Sequence, residues 1–357
     1  MKFEIKGMQE NPEMVELQIK ALKRRVLEVK DTDFEELAIE IFKFQARHNP
    51  IYQSFLRMLD CSVDSVRSMD QIPFMPIELF KTFQVQTGFS PVLFNFESSG
   101  TTGQIPAKHA VCDPGFYQLN SLNAFNQLFG SITDYHIFAL LPSYLERNTS
   151  SLVFMMDHFI QESKSEFSGF FLNQYAELLS QIQEALKTNR KIWVMGVTFG
   201  LLDWIDSGQE FLFWKEAIHE GRIMVMETGG MKGRREEWIR DRIHAYMMQH
   251  MGLKGVASEY GMTELFSQAY SFSDGIFVPS NTMRVLLREV NDPFSLVKTP
   301  GKIGGIKVID LANVESCSFI ETRDLGSLEE DGIRFKVLGR FDNSEMRGCS
   351  LMVSEPY

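Results

Sequence analysis

Through the first part of the chain, apolar residues fall three and four apart. Asp31 or Thr32 can cap a helix in which Phe34, Leu37, Ala38, Ile41 and Phe42 share one face. Asn49-Pro50 interrupts that pattern, and Ile51, Phe55, Met58 and Leu59 begin a second helix. Residues 1–75 therefore read as helical, and 72–77 as a proline-punctuated extended segment. From 111 to about 260 the pattern alternates. Helical spacing covers 116–129, 172–186 and a start at 199–205, then 234–251 with Trp238, Ile239, Ile243, Tyr246 and Met247 on one face. Short apolar runs at 135–141, 192–197 and 222–226 read as buried strands. Strands alternating with helices predict an α/β fold of layered, mostly parallel sheets with flanking helices. Ligands of such sheets bind at the carboxyl ends of the strands.

After about 270 the spacing changes to short strands at 283–290, 305–311, 318–321 and 333–338, separated by Gly, Pro, Asn and Asp. The chain thus divides into a helical N-terminal part (1–89), an α/β core (90–270) and a β-rich subdomain with a short C-terminal tail (271–357).

Composition adds limits. Of 357 residues, 44% are apolar and 23% charged, enough for a sizeable core. Thirty Phe and nineteen Met supply large, adaptable apolar groups, for packing or for lining a flexible apolar ligand. The net charge of −11 and the lack of any Lys/Arg block argue against nucleic acid and anionic membranes as partners. Cys61, Cys112, Cys317 and Cys349 lie far apart with no C-x-x-C, which fits a reducing cytoplasm. No hydrophobic signal core and no run of about 18 apolar residues is present, so no membrane span is expected.

The candidate chemistry starts at 94–103, where an apolar run meets Ser98, Ser99, Gly100, Thr101, Thr102 and Gly103. Glycines let the backbone approach a ligand, N–H groups can converge, and hydroxyls add donors, a cradle suited to polyphosphate. The same composition also makes an ordinary surface loop, and the spacing is not the Walker form. Further pieces follow in order: Thr228-Gly229-Gly230, Ser258-Glu259-Tyr260-Gly261-Met262-Thr263-Glu264, Glu321-Thr322-Arg323-Asp324-Leu325-Gly326, Gly339-Arg340-Phe341-Asp342 and Arg347-Gly348. Each alone has a plain reading: Glu264 as a solvated or capping acid, Asp324 as a turn residue, Arg340 as a surface ion-pair partner.

Together, in this order, they resemble the adenylate-forming superfamily of acyl-CoA synthetases and peptide-synthetase adenylation domains. Residues 98–103 look like its phosphate loop, 260–264 like its Y-G-x-T-E motif and 322–325 like its T-G-D-L motif, with Arg323 in place of glycine. Residues 339–342 with 347–348 look like its hinge motif. The LuxE-type acyl-protein synthetases of that superfamily are the closer resemblance. It extends to Phe42-Lys43-Phe44-Gln45 with Asn49, to 72–80, and to 141–147 with Ser150 and Ser151.

The resemblance implies ATP and Mg²⁺ as cofactors and a carboxylic acid, above all a fatty acid, as substrate. It implies that Ser98, Ser99, Gly100, Thr101, Thr102 and Gly103 hold phosphates and that Gly229, Gly230, Tyr260 and Gly261 flank adenine. Thr263 would contact the α-phosphate, Glu264 would hold Mg²⁺, and Asp324 with Arg340 would bind the ribose. Tyr144, Val197, Phe199 and Gly200 would line an acyl pocket, the alternative for the last three being strand–helix packing. Lys108 stands two places later than the lysine of the phosphate-loop motif, and the hinge is one residue short. A C-terminal domain typical of acyl-CoA synthetases is expected to be missing. Cys349 is then expected to accept the acyl group and pass it to an acyl reductase or carrier partner, because a thiolate is a strong nucleophile near neutral pH. A ligase forming a CoA thioester, amide or ester, and a non-catalytic scaffold, are the alternatives.

Overall fold

The computed structural model describes residues 11–98, 105–141, 149–229 and 238–341. The helical N-terminal part holds α1 (Pro12–Leu27), α2 (Phe34–His48) and α3 (Pro50–Met58). In α2 the expected face is the buried one: Phe34, Leu37, Ala38, Ile41 and Phe42 all point into the core. Asn49 makes the break. Its side chain accepts from the N–H groups of Ile51 and Tyr52 at 3.1 and 3.0 Å, and Pro50 takes the first helical position, where no N–H is needed. Next come β1 (Met75–Pro76), α4 (Leu79–Thr82), and the two-stranded hairpin β2 (Phe94–Glu97) and β3 (Lys108–Val111).

The core continues with α5 (Pro114–Phe129), β4 (Tyr135–Leu140), α6 (Ser151–Ser163), β5 (Gly169–Phe171), α7 (Tyr175–Ala185) and β6 (Lys191–Val197). After these come α8 (Thr198–Asp206), α9 (Lys215–His219), β7 (Ile223–Thr228), α10 (Arg240–Met251) and β8 (Ala257–Tyr260). Strands β5, β4, β6, β7 and β8 pair in parallel, in that order. β4 is buried at every position, as a strand covered on both faces must be. Phe125 of α5 stacks on Trp193 of β6, with ring centroids 4.5 Å apart.

The remaining strands are β9 (Ala269–Ser271), β10 (Ile276–Pro279), β11 (Met283–Glu289), β12 (Asp292–Leu296), β13 (Ile303–Asp310), β14 (Phe319–Leu328) and β15 (Phe335–Arg340). They extend the same sheet antiparallel beyond β8, in the order β9, β10, β15, β14, β13, β11, β12. β1 pairs in parallel with β14, through Met75 with Ile320 and Pro76 with Glu321. One apolar core runs from Val15 to Phe335. Among the described residues no helix is long and apolar enough to cross a membrane.

Two expectations need correction. The helix predicted from 234 begins at Arg240: residues 234–237 lie outside the described residues, while Ile239 is extended at the helix N-cap and 73% exposed. Ile243 and Met247 keep the buried face. The strand predicted to end at 321 runs to Leu328, so Asp324 lies inside a strand rather than in a turn. The inward positions of that strand, Ile320, Thr322, Asp324 and Gly326, are mostly polar or side-chain-free, and this hid the period-2 alternation. Helix α6 and strands β3, β9, β10 and β12 were not anticipated.

Candidate active site

Four of the singled-out residues meet where the parallel and antiparallel parts of the sheet join. Tyr260 is the last residue of β8, and its hydroxyl donates to Asp324 Oδ2 at 3.0 Å. Asp324 and Arg340 are register partners on β14 and β15, and Arg340 Nε lies 3.1 Å from Asp324 Oδ1. The Asp324 carboxyl is buried, whereas the Arg340 side chain is 78% exposed. Asp324 pushes the arginine's pKa up, and Tyr260 and Glu264 act in the same direction, so the four groups share one field. Burial, then the neighbouring Asp324, holds the Tyr260 phenol far above its usual range, leaving it a donor.

Glu264 follows Tyr260 by one turn of chain and is buried. Desolvation pushes its carboxyl up to about 7, against the lowering effect of Arg340 and Lys81. The loop around it is held from below. His109 Nδ1 lies 2.8 Å from the Thr263 carbonyl, Asn313 Nδ2 donates to the Glu264 carbonyl at 2.8 Å, and Asn120 Nδ2 donates to that of Phe266 at 2.9 Å. The Asp310 carboxylate accepts from the N–H groups of Phe266 and Ser267 at 2.7 and 3.0 Å.

Gly229 follows β7 with φ +72, the left-handed region that favours glycine. Its carbonyl accepts from Thr198 Oγ1 at 3.2 Å. Gly261 follows Tyr260, and a Cβ there would lie 2.3 Å from Glu259 Oε1. Glu259 is buried, accepts from the Thr228 hydroxyl, and is pushed up to about 7 by desolvation. Beside it, Glu227 Oε1 receives Ser258 Oγ at 2.7 Å and Arg240 Nε at 3.2 Å, with His244 Nε2 at 3.5 Å, while Oε2 receives Thr198 Oγ1 at 2.8 Å. Burial alone would raise the Glu227 pKa; the contacts of His244, Arg240 and Ser258 outweigh it and hold it below the usual range.

At the base of the glycine-hydroxyl loop, Ser98 Oγ accepts from Ala107 N at 2.8 Å and Ser98 N donates to Ala107 O at 3.0 Å, which closes the β2–β3 hairpin. Lys108 sits on that hairpin with Nζ 3.5 Å from Glu97 Oε1. Ser99, Gly100, Thr101, Thr102, Gly103, Tyr144, Gly230 and Cys349 lie outside the described residues. Val197, Phe199 and Gly200 are buried at the β6–α8 junction. Sequence reasoning gave no role to Glu227, Glu259, His109 or Asn313. For Glu227 there was a signal, an acid ending the apolar run of β7.

Among the described residues, no group of three or more His, Cys, Asp or Glu side chains forms a metal site. Mg²⁺ needs no such cage: it takes one or two carboxylates and fills its shell with water and substrate phosphates. Glu264, a carboxylate buried beside the cluster, fits that demand, and a cation would favour its charged form.

The architecture is α/β, a large sheet with flanking helices and a β-rich portion, and solved structures share it. It matches the crystal structure of 2-hydroxyisobutyryl-CoA ligase in complex with 2-HIB-AMP and CoA in the thioesterification state. The TM-score is 0.60 at 14% identity, over 90% of this chain and 71% of that one. The same ligase in the postadenylation state, in complex with R3-HIB-AMP, gives 0.59 at 10% identity, over 89% of this chain and 70% of that one. At such identities the likeness is one of fold. No family model and no curated protein matches the chain.

Proposed function

We propose that the chain is an ATP-dependent acyl-protein synthetase. A carboxylate oxygen of a fatty acid attacks the α-phosphorus of ATP, the bond to pyrophosphate breaks, and an acyl-adenylate forms. The Cys349 thiolate then attacks the acyl carbon, AMP leaves with the C–O electron pair, and the acyl thioester passes to a reductase or carrier protein. The observation that carries this reading is the convergence of Tyr260, Asp324, Arg340 and Glu264 at the carboxyl end of β8. Asp324 offers carboxylate oxygens to ribose hydroxyls while Arg340 and Tyr260 fix its orientation. Gly229 and Gly261 leave room for the flat adenine. Ser98, Ser99, Gly100, Thr101, Thr102 and Gly103 cradle the phosphates, and the Thr263 hydroxyl meets the α-phosphate. Glu264 would hold Mg²⁺, which supplies charge neutralisation for an anion attacking an anion. Val197, Phe199 and Gly200, with Tyr144, form the acyl end.

A pyrophosphate-exchange screen over carboxylic acids tests the first half: the proposal expects exchange with at least one acid chain length, and none with any acid overturns it. Cys349→Ser tests the second half, with exchange retained and hydroxylamine-sensitive acyl labelling lost. Labelling that survives the substitution refutes the thioester. A ligase that transfers to CoA is the second reading, favoured by the CoA bound in a matching structure. Offering CoA, an amine and a carrier protein to the preformed adenylate separates the two.

A further inference from the structure

Beneath the loop that carries Thr263 and Glu264 lies a small pocket between β3, α5 and the turn after β13. Its water-centre volume is about 10 Å³, room for one water molecule. His109, Cys112, Phe116, Phe266 and Asn313 are among its walls. Two buried polar atoms on these walls have no hydrogen-bond partner among the described residues: His109 Nε2 and Asn313 Oδ1. Both belong to side chains whose other polar atom grips the loop, His109 at the Thr263 carbonyl and Asn313 at the Glu264 carbonyl. A carbonyl only accepts, so His109 Nδ1 carries the proton, and in the neutral ring Nε2 is a bare acceptor. Asn313 Oδ1 is likewise an acceptor. Two acceptors lining one small pocket cannot satisfy each other, but one water between them can donate a hydrogen to each.

We propose that this pocket is a single-water site, and that His109 and Asn313, joined through the water, are positioning residues that set the backbone of Thr263 and Glu264 against the reacting phosphate. The inference rests on the roles proposed above for Thr263 and Glu264; the water and the clamp stand on the geometry alone. The ring is held between Phe80 and Phe266, with centroids 5.6 and 4.6 Å away, so its orientation is fixed by packing as well as by the bond. Asn313 is anchored in turn: its carbonyl accepts from Gln45 Nε2 at 2.8 Å, and its Nδ2 also reaches the Cys317 carbonyl at 3.2 Å. Two of the side chains that hold the loop, on different elements, thus meet in the water as their common point.

The test uses the full chain. A high-resolution crystal structure should show one ordered water bonded to His109 Nε2 and Asn313 Oδ1. Nitrogen-15 NMR of histidine-labelled protein should show the Nδ1–H tautomer at His109, the less common form of a free imidazole. No water in the pocket, or an Nε2–H tautomer, overturns the site. For the positioning role, His109→Leu should lower the exchange turnover about tenfold with the KM for the acid unchanged. His109→Asn, whose amide nitrogen falls near the place of Nδ1 and can still donate to the Thr263 carbonyl, should recover most of that loss. Equal turnover in wild type and His109→Leu, or equal loss in both variants, overturns it. Should wild-type protein show no exchange with any acid, the proposed function fails, while the water and the tautomer still decide this inference.

Discussion

Two buried carboxylates, one in each half of the sheet, are held in the same style and to different ends. Glu227, in the parallel half, has Ser258, His244 and Thr198, all buried, and the half-buried Arg240 around its two oxygens. An ionised carboxylate has about four acceptor positions, so its capacity is used up. Asp324, in the antiparallel half, has only Tyr260 and Arg340 among the described residues, and the arginine is mostly in solvent. Half of its capacity is therefore unused among the described residues. A saturated carboxylate holds a structure together; an unsaturated one beside an exposed cation is prepared for something else. The difference sets a carboxylate with every acceptor position used apart from one with positions to spare.

The comparison can be broken most directly at Glu227. Glu227→Ala leaves Arg240 and His244 without their buried counter-charge and is expected to cost about 3–5 kcal/mol in urea denaturation. A loss below about 1 kcal/mol would remove the distinction. Next is the neighbouring Glu259, whose folded pKa of about 7 stands above the ordinary carboxylate value of 4.5 because burial favours the neutral form. A raised folded pKa gives stability that is full below 4.5 and gone above about 7. Wild-type protein should therefore lose about 2–3 kcal/mol relative to Glu259→Gln between pH 4.5 and 8, read from paired denaturation curves. Asp324→Ala should cost less stability, about 1–2 kcal/mol, since it releases an arginine that water already solvates. Its main effect should be on ATP affinity, a fall of roughly 10–100-fold by calorimetry, the loss of charge-assisted bonds. Smallest of all is Arg323→Gly. Its ion pair with Glu78 lies on the surface, so stability should move by less than about 1 kcal/mol and exchange activity hardly at all.

What was legible in the sequence follows the range of the interactions involved. Helix α2 and the break at Asn49-Pro50 are local, set by spacing and capping chemistry within a few residues, and were readable. So was the sequential order of the glycine-hydroxyl loop, Tyr260, Glu264, Asp324 and Arg340, since each carries a recognisable neighbourhood. The strand around Asp324 was not, because polar residues occupy its buried face where apolar ones would have marked it. Nothing local distinguishes His109 or Asn313 either. Their partners, Thr263 and Glu264, lie far along the chain, and only the closed sheet brings them under the loop. Glu227 and Glu259 owe their character to burial, which a sequence shows only indirectly.

β1 contributes two residues to the sheet, and they tie the helical N-terminal part to the strand that carries Asp324. Ile77 N continues the join, donating to the Glu321 carbonyl at 3.0 Å, and Phe42, Tyr52 and Phe74 enclose Phe319, the first residue of β14. Dissecting this chain at the hairpin that follows would therefore remove no appendage. It would strip the wall from β14, expose its aromatic anchor to water and remove a backbone hydrogen bond three residues from Asp324. The leading helices are a buttress, and a shorter chain lacking them would inherit the motifs without the frame that aims them.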